Sequence, residues 1–336
     1  MYQHRRVPSA FVTGGSGFIG GRLIRRLVGD GWTVRALARS ESSAAKVRDA
    51  GAEPVMGDLD DVGAMAEGAS GCEYAFHAAA SLGDWGRRED FVRGNVAGTE
   101  NALRACREAG VRRFVHVGTE AALLVGQPLV NADERVPLRP DSKAHYPATK
   151  AMAEQAVLDA NRDGFETVVL RPRLVWGPGD TTILPPLVDA VRAGRFAWVG
   201  GGRHRTATRH VDNAVHGLVL AARAPEPGSV YFVTDGAPLV FRDFVTRLLA
   251  TQGVEPPRRS VPRRVAQALA AVAEAAWRAL PLRGRPPLTR LAVWLSGLEV
   301  TIDTSRARTE LGYAPVRTVD EGLAELADQA RRGRER

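Results

Sequence analysis

A chain of 336 residues, 44% hydrophobic and 25% charged, is long enough to bury a large core as one domain or two closely joined ones. The formal net charge is +8 and the pI near 10.1, but Lys occurs only at Lys46, Lys143 and Lys150. The many Arg residues are scattered, and only the tail Arg331 to Arg336 forms a run, so a nucleic-acid partner is not expected.

Cys72 and Cys106 lie in apolar or helical segments without metal or redox spacing. The N-terminus runs directly into a strand, and the longest apolar-rich region, Val265 to Leu280, is broken by Gln267, Glu274 and Arg278. These features predict a reduced, cytoplasmic protein with neither a signal peptide nor a membrane span.

In chain order, Ala10 to Val12 reads as a strand, followed by the glycine turn TGGSGFIG (Thr13 to Gly20) and a helix through Val28. Thr33 to Ala38 is a second strand, with a helix near Ala44 to Ala50, and Glu53 to Met56 is a third. Tyr74 to His77 and Phe114 to Val117 follow as strands, separated by a helix from Phe91 to Ala109. A helix carrying Lys150 leads to the strand Val168 to Leu170, and Val230 to Val233 is one more strand-like run. Alternating strands and helices predict an α/β, Rossmann-type, doubly wound parallel sheet, with ligands at the carboxyl ends of its strands. After Pro172 the texture becomes rich in Pro and Gly and then mostly helical. The expected division is a nucleotide-binding domain over 1–172, rejoined by 209–234. A smaller, mostly helical substrate-binding portion then covers 173–208 and 235–336.

Gly14, Gly17 and Gly20 follow a strand and open a helix. The first permits a tight turn, the second a close approach to a pyrophosphate, and the third close helix packing. The pyrophosphate then meets backbone N–H groups at the positive end of the helix, beside Phe18 and Ile19. The second strand ends in ALARS, with Ala38 where an NAD enzyme places an acid and Arg39 next. A guanidinium suits a 2′-phosphate, so NADP(H) is favoured over NAD(H), with Ser40 as helper. Asp58 and Leu59, after the third strand, are placed at the adenine.

Tyr146 and Lys150, in YPATK, sit four residues apart on one helix face. A phenol titrates near ~10 and a neighbouring cation favours its phenolate, which brings it toward acid/base use.

Together TGGSGFIG, FHAAA, NVAGT, YPATK and LRPRLVWGPGD resemble the extended short-chain dehydrogenase/reductase superfamily. The continuation through RHVDNAVHGLVLAA, VYFVTDGAP and ELGYAP is similar to its 3β-hydroxysteroid dehydrogenase-like branch, from about Phe11 to about Leu326. The resemblance implies that Tyr146 is the catalytic acid/base and that Lys150 lowers its pKa and holds the nicotinamide ribose. Thr119 would bind the substrate oxygen, with Gly118 standing where many relatives carry a second Ser. Asn95 would support the lysine and an ordered water, Ala78, Ala79 and Ala80 would line the cofactor, and Pro172 would lie beside the nicotinamide. His77 is expected to be structural, and no metal is needed.

Trp85, Leu174 and Trp176, with the helical region Val261 to Leu298, are candidates for an apolar substrate surface. The expected activity is an NAD(P)-dependent alcohol dehydrogenase or carbonyl reductase acting on a steroid-like, terpenoid, acyl or aromatic substrate. A sugar-nucleotide epimerase or dehydratase, with Arg203, Arg205 and Arg209 on a second diphosphate, is the alternative. A non-catalytic NADP-binding sensor is a further one. Val211 to Asn213 reads as structural. The arginines flanking Val261 to Leu298 raise a peripheral membrane contact, although a lid over the substrate is preferred. Dimerisation through Phe91 to Ala109 and Tyr146 to Asn161 is implied by the resemblance alone.

Overall fold

The computed structural model describes residues 7–280 and 282–334; expectations made for residues 1–6 and the last two of the basic tail lie outside them. Seven strands form the main sheet: β1 (Ser9–Thr13), β2 (Thr33–Ala38), β3 (Glu53–Met56), β4 (Tyr74–His77), β5 (Arg113–Val117), β6 (Glu166–Arg171) and β7 (Ser229–Phe232). All pair in parallel, in the order β3-β2-β1-β4-β5-β6-β7, so the chain reverses direction across the sheet after β3. The Rossmann-type α/β fold expected from the alternating pattern is the fold observed.

The strands are apolar on both faces because helices cover both. Ala10 and Val12 of β1, Val115 of β5 and Val168 and Leu170 of β6 pack in one core. That core includes Leu23, Ile24 and Leu27 of α1 (Phe18–Gly29) and Val47 of α2 (Glu41–Asp49). Phe11, Phe114 and Val169 alternate to the other face. They meet Met65 of α3 (Val62–Ala69), Ala102 and Cys106 of α4 (88–108), and Val157 of α5 (His145–Asp159). Helix α4 spans 88–108 and is composite: α-helical at Arg88–Phe91, π-helical at Val92–Ala97 and α-helical again at Gly98–Glu108.

Beyond β6 come α6 (Leu184–Arg192), α7 (Val211–Ala221), α8 (Phe241–Ala250), α9 (Arg263–Ala279), α10 (Arg290–Gly297), α11 (Ser305–Leu311) and α12 (Val319–Arg334). Helix α7 returns to the main sheet through Val215 and Leu218, and β7 closes its edge. The rest is less purely helical than expected, because it carries a second, four-stranded sheet. There Val300–Ile302 lies between Leu129–Ala132 and Arg205–Thr206, and Leu239–Val240 forms the far edge. The strand Leu129–Ala132 therefore leaves the N-terminal half of the chain to pair with the C-terminal half.

Candidate active site

The turn after β1 is built by close backbone approach. Gly14 has φ +72°, and a Cβ there would lie 2.6 Å from the amide nitrogen of Ala79. The Ala78–Ala80 stretch at the end of β4 therefore lies directly over the loop. A Cβ on Gly20 would run into the Gly14 carbonyl. A Cβ at Gly17 would meet, among the described residues, only that carbonyl, at 3.2 Å. Gly17 is also the N-cap of α1 and brings no side-chain cap, so the first amides of this helix have no internal side-chain acceptor there. Phe18 opens the helix and packs toward Gly179, while Ile19 packs against the core.

The remaining cofactor candidates stand at neighbouring strand ends. Arg39 follows β2 and is exposed, while Ser40 caps α2 by accepting from the Ser43 amide at 3.3 Å. Asp58 and Leu59 follow β3, where Leu59 fills the space left by Gly98. Pro172 follows β6, and its carbonyl accepts from Glu120 N at 3.3 Å, joining that segment to the Thr119 turn.

Helix α5 delivers Tyr146 and Lys150, but the two side chains have separate surroundings. Tyr146 is half-buried in an apolar cluster with Leu123, Leu124, Leu291, Trp294 and Leu295. Burial and the charge of Glu120 push its phenol above the ordinary tyrosine range, and hydrogen bonding with Thr119 acts in the opposite direction. Lys150 is buried beneath it. Its ammonium donates to the Val117 carbonyl at 2.9 Å and stands 3.2 Å from His116 Nε2. Burial pulls its pKa down to about 8, and Glu154 opposes the shift. Its ammonium is turned to the floor of the site, and burial and Glu120 dominate the shift of the phenol.

Thr119 caps the short turn that follows β5. Its hydroxyl accepts from Ala121 N at 3.1 Å and donates to Glu120 Oε2 at 3.0 Å. Glu120 is itself buried, paired at 2.5 Å with Arg173, which also donates to Thr206. A second buried pair, Glu154 and Arg171 at 2.6 Å, lies beside Gly118. The sequence reading missed Glu120, Arg173, Glu154 and His116, since nothing local separates a buried charge from a solvated one.

Asn95 clamps the loop after β4, accepting from Ser81 N at 2.7 Å and donating to Ser81 O and to Thr149 Oγ1, the neighbour of Lys150 on α5, at 3.1 Å. The expected substrate residues are corrected. Trp176 is not a substrate residue, because it is fully buried, packs on His210 and Phe244, and donates to Asp235. Leu174, with φ +44°, packs toward that same core. Trp85 lies under the guanidinium of Arg278 at 5.5 Å, beside the end of α9. Arg203 and Arg205 are exposed whereas Arg209 is fully buried, so the three do not present one shared anion face.

His77 binds Thr13 and Thr99 and is pulled down to about 3 by burial and Lys150, in keeping with a structural role. Asn213 makes four hydrogen bonds, to Asp235, Arg317 and Val316, and is structural too. His210, Asp212 and Glu325 converge although their sequence spacing carried no metal signal, but Asp212 is held by Arg22 at 2.5 Å.

Residues 11–263 match the 3-beta hydroxysteroid dehydrogenase/isomerase family. The chain is 50% identical to the 4-hydroxy-2-methyl-3-oxo-4-farnesyl-3,4-dihydroquinoline-1-oxide ketoreductase of Stigmatella aurantiaca, over 94% of this chain and 95% of that one. It is 38% identical to the 2-alkyl-3-oxoalkanoate reductase of Stenotrophomonas maltophilia (strain K279a), over 94% and 97%. Among solved structures, gox2253 superposes with a TM-score of 0.79 at 28% identity, covering 97% of this chain and 98% of that one. The chain belongs to the 3-beta hydroxysteroid dehydrogenase/isomerase family of extended short-chain dehydrogenases/reductases, and it is an NAD(P)-dependent oxidoreductase.

Proposed function

We propose that the chain reduces a ketone on a lipophilic substrate with NADPH, Tyr146 supplying the proton, and catalyses the reverse oxidation of the alcohol. The observation that carries this reading is the wall beside Tyr146. Leu291, Trp294 and Leu295 of α10, with Leu123 and Leu124, make the surroundings of the phenol apolar. The ketone groups named in the two similar reductases agree with it.

The residues suit a dinucleotide, since the glycine loop leaves no room for side chains at Gly14 and Gly20 and keeps the start of α1 open at Gly17. Gly14, Gly17, Phe18, Ile19 and Gly20 would hold the pyrophosphate, Arg39 and Ser40 the 2′-phosphate, and Asp58 and Leu59 the adenine end. Ala78, Ala79, Ala80, Pro172 and Lys150 would hold the nicotinamide half. When bound, the reduced nicotinamide supplies the hydride.

Tyr146 stays protonated at neutral pH because its pKa is raised, so it can donate to the carbonyl oxygen. Thr119 has one hydroxyl proton, now given to Glu120, and turning it toward the substrate oxygen would orient the carbonyl against Tyr146. Lys150, cationic below about pH 8, would steady the phenolate left after proton transfer by turning its ammonium from the Val117 carbonyl toward the phenol.

The dispersed positions of Arg203, Arg205 and Arg209 weigh against a sugar-nucleotide substrate. A homodimer through α4 and α5 accompanies the reading, with Glu100, Met152 and Gln155 lining an open cleft between these helices.

The test is NADPH oxidation against steroid, aromatic, terpenoid and β-keto acyl carbonyls. Turnover of a lipophilic ketone is expected, with Tyr146→Phe lowering kcat by about 10²- to 10⁴-fold while still binding NADPH. No turnover on any carbonyl, or an undiminished rate in Tyr146→Phe, would overturn it.

A further inference from the structure

Helix α9 is built inside out. Its buried positions are Ala266, Ala270 and Glu274, while Val265, Leu269 and Val272 face outward at 47%, 55% and 69% exposure. These three share one face, and the exposed Ala268, Ala275 and Ala279 extend the same stripe. Leu280 and Leu282 prolong it past the helix end at 55% and 43%. Of the eleven large hydrophobic side chains exposed among the described residues, five fall within 265–282. A helix covering only its own protein would turn its large aliphatics inward and its alanines outward.

The charge around the stripe is equally uneven. Residues 258–285 carry Arg258, Arg259, Arg263, Arg264, Arg278, Arg283 and Arg285 against the single acid Glu274, so seven minus one gives +6 of the chain's +8. All seven arginines are exposed. Glu274 is turned inward, accepting from the Arg290 amide at 2.7 Å. Arg278 leans over Trp85 and Arg285 lies 3.8 Å from Asp84, which ties the loop after β4 to this end of the helix. The arginines that look scattered in the sequence are therefore concentrated at the two ends of one apolar stripe.

We infer that this face lies on an anionic lipid surface, with Val265, Leu269, Val272, Leu280 and Leu282 entering the acyl boundary and the flanking arginines at the head groups. An interfacial helix needs this combination of outward aliphatics and bracketing cations. No helix among the described residues is long and apolar enough to cross a membrane, so the contact is one-sided. A second copy of the chain is the poorer occupant, since apposing two such faces would set +6 against +6. The contact would be made by the outer wall of the substrate portion: α9 packs on α10, whose Leu291 and Trp294 share a cluster with Tyr146. The inference stands apart from the chemistry proposed for Tyr146.

The experiment is co-sedimentation of the full chain with vesicles of phosphatidylcholine alone or mixed with phosphatidylglycerol. Sedimentation velocity without lipid is run alongside. Binding to the mixed vesicles is expected to be about tenfold or more tighter than to phosphatidylcholine. Leu269→Asn/Val272→Asn should weaken it by about tenfold or more, and Arg263→Gln/Arg264→Gln should shrink the preference for phosphatidylglycerol. Because all four positions are exposed, thermal melting and NADPH binding should be unchanged. Absence of vesicle binding, equal binding to both compositions, or full binding by the Leu269→Asn/Val272→Asn chain each overturns the inference. So does lipid-free self-association abolished by that variant in the absence of vesicle binding, which would make the face a contact between copies.

Discussion

The Lys150 ammonium and the His116 imidazole meet in the buried floor of the site, Nζ 3.2 Å from Nε2. An ammonium has only donors, so Nε2 must be the bare nitrogen and the ring proton must sit on Nδ1. Burial and the Lys150 charge hold His116 well below the ordinary histidine range, which keeps the ring neutral and able to accept. His116 thus fixes the direction of the Lys150 side chain, while α5 fixes its position.

The pH profile should report Lys150. Its folded pKa of about 8 lies below the ordinary lysine value, so the ammonium is complete below pH 8 and is lost above it. With NADPH, kcat/KM should fall as one proton leaves near pH 8, and Lys150→Arg should move that decline beyond the accessible range. Stability should move the other way. The unfolded lysine keeps its proton to about pH 10.4, so the cost of burying the cation is full below pH 8 and fades as pH rises toward that value. A rate flat through pH 8, or a stability that falls over that interval, would count against this assignment.

Arg39 should decide the nucleotide. It is exposed at the end of β2, where its guanidinium has no carboxylate within ion-pair distance among the described residues. Arg39→Ala should raise KM for NADPH by roughly 10- to 100-fold, the worth of one or two charge-assisted hydrogen bonds. KM for NADH and kcat should be little changed. Steady-state kinetics with both nucleotides measure this, and an unchanged NADPH/NADH ratio would remove the basis for preferring NADP(H).

Gly118 should resist replacement by serine. A Cβ there would lie 2.9 Å from Val169 Cγ1 and 3.0 Å from Glu154 Oε2, between a sheet residue and a buried ion pair. Neither neighbour can move freely, so Gly118→Ser should cost about 1 to 3 kcal/mol. Urea denaturation checks it; a midpoint equal to that of the unaltered chain would show that the site relaxes.

The main sheet was legible because its strands are short apolar runs bounded by glycine and helix-forming segments, as at Phe11 and Val169. The nucleotide loop was legible because close backbone approach permits only glycine at Gly14 and Gly20. The pairing of Leu129–Ala132 with Val300–Ile302 was not, since four residues give too little alternation and the partner is remote in sequence. Glu120 and Glu154 were invisible for a related reason. Their arginines, Arg173 and Arg171, arrive from another strand end, and sequence alone does not mark them as buried. Trp176 was misplaced because a tryptophan beside the nicotinamide segment looks the same whether it faces a ligand or a core.

The π-helical stretch Val92–Ala97 acts as a one-residue phase adjuster. Widening a turn by one residue rotates everything downstream by about 100° relative to an unbroken α-helix. Asn95 can therefore address the Ser81 backbone while Thr99, a turn later, meets His77 and Gly98 receives Leu59. A single inserted residue lets one rod serve two clients that a regular helix would place out of step, the loop after β4 and the underside of the sheet.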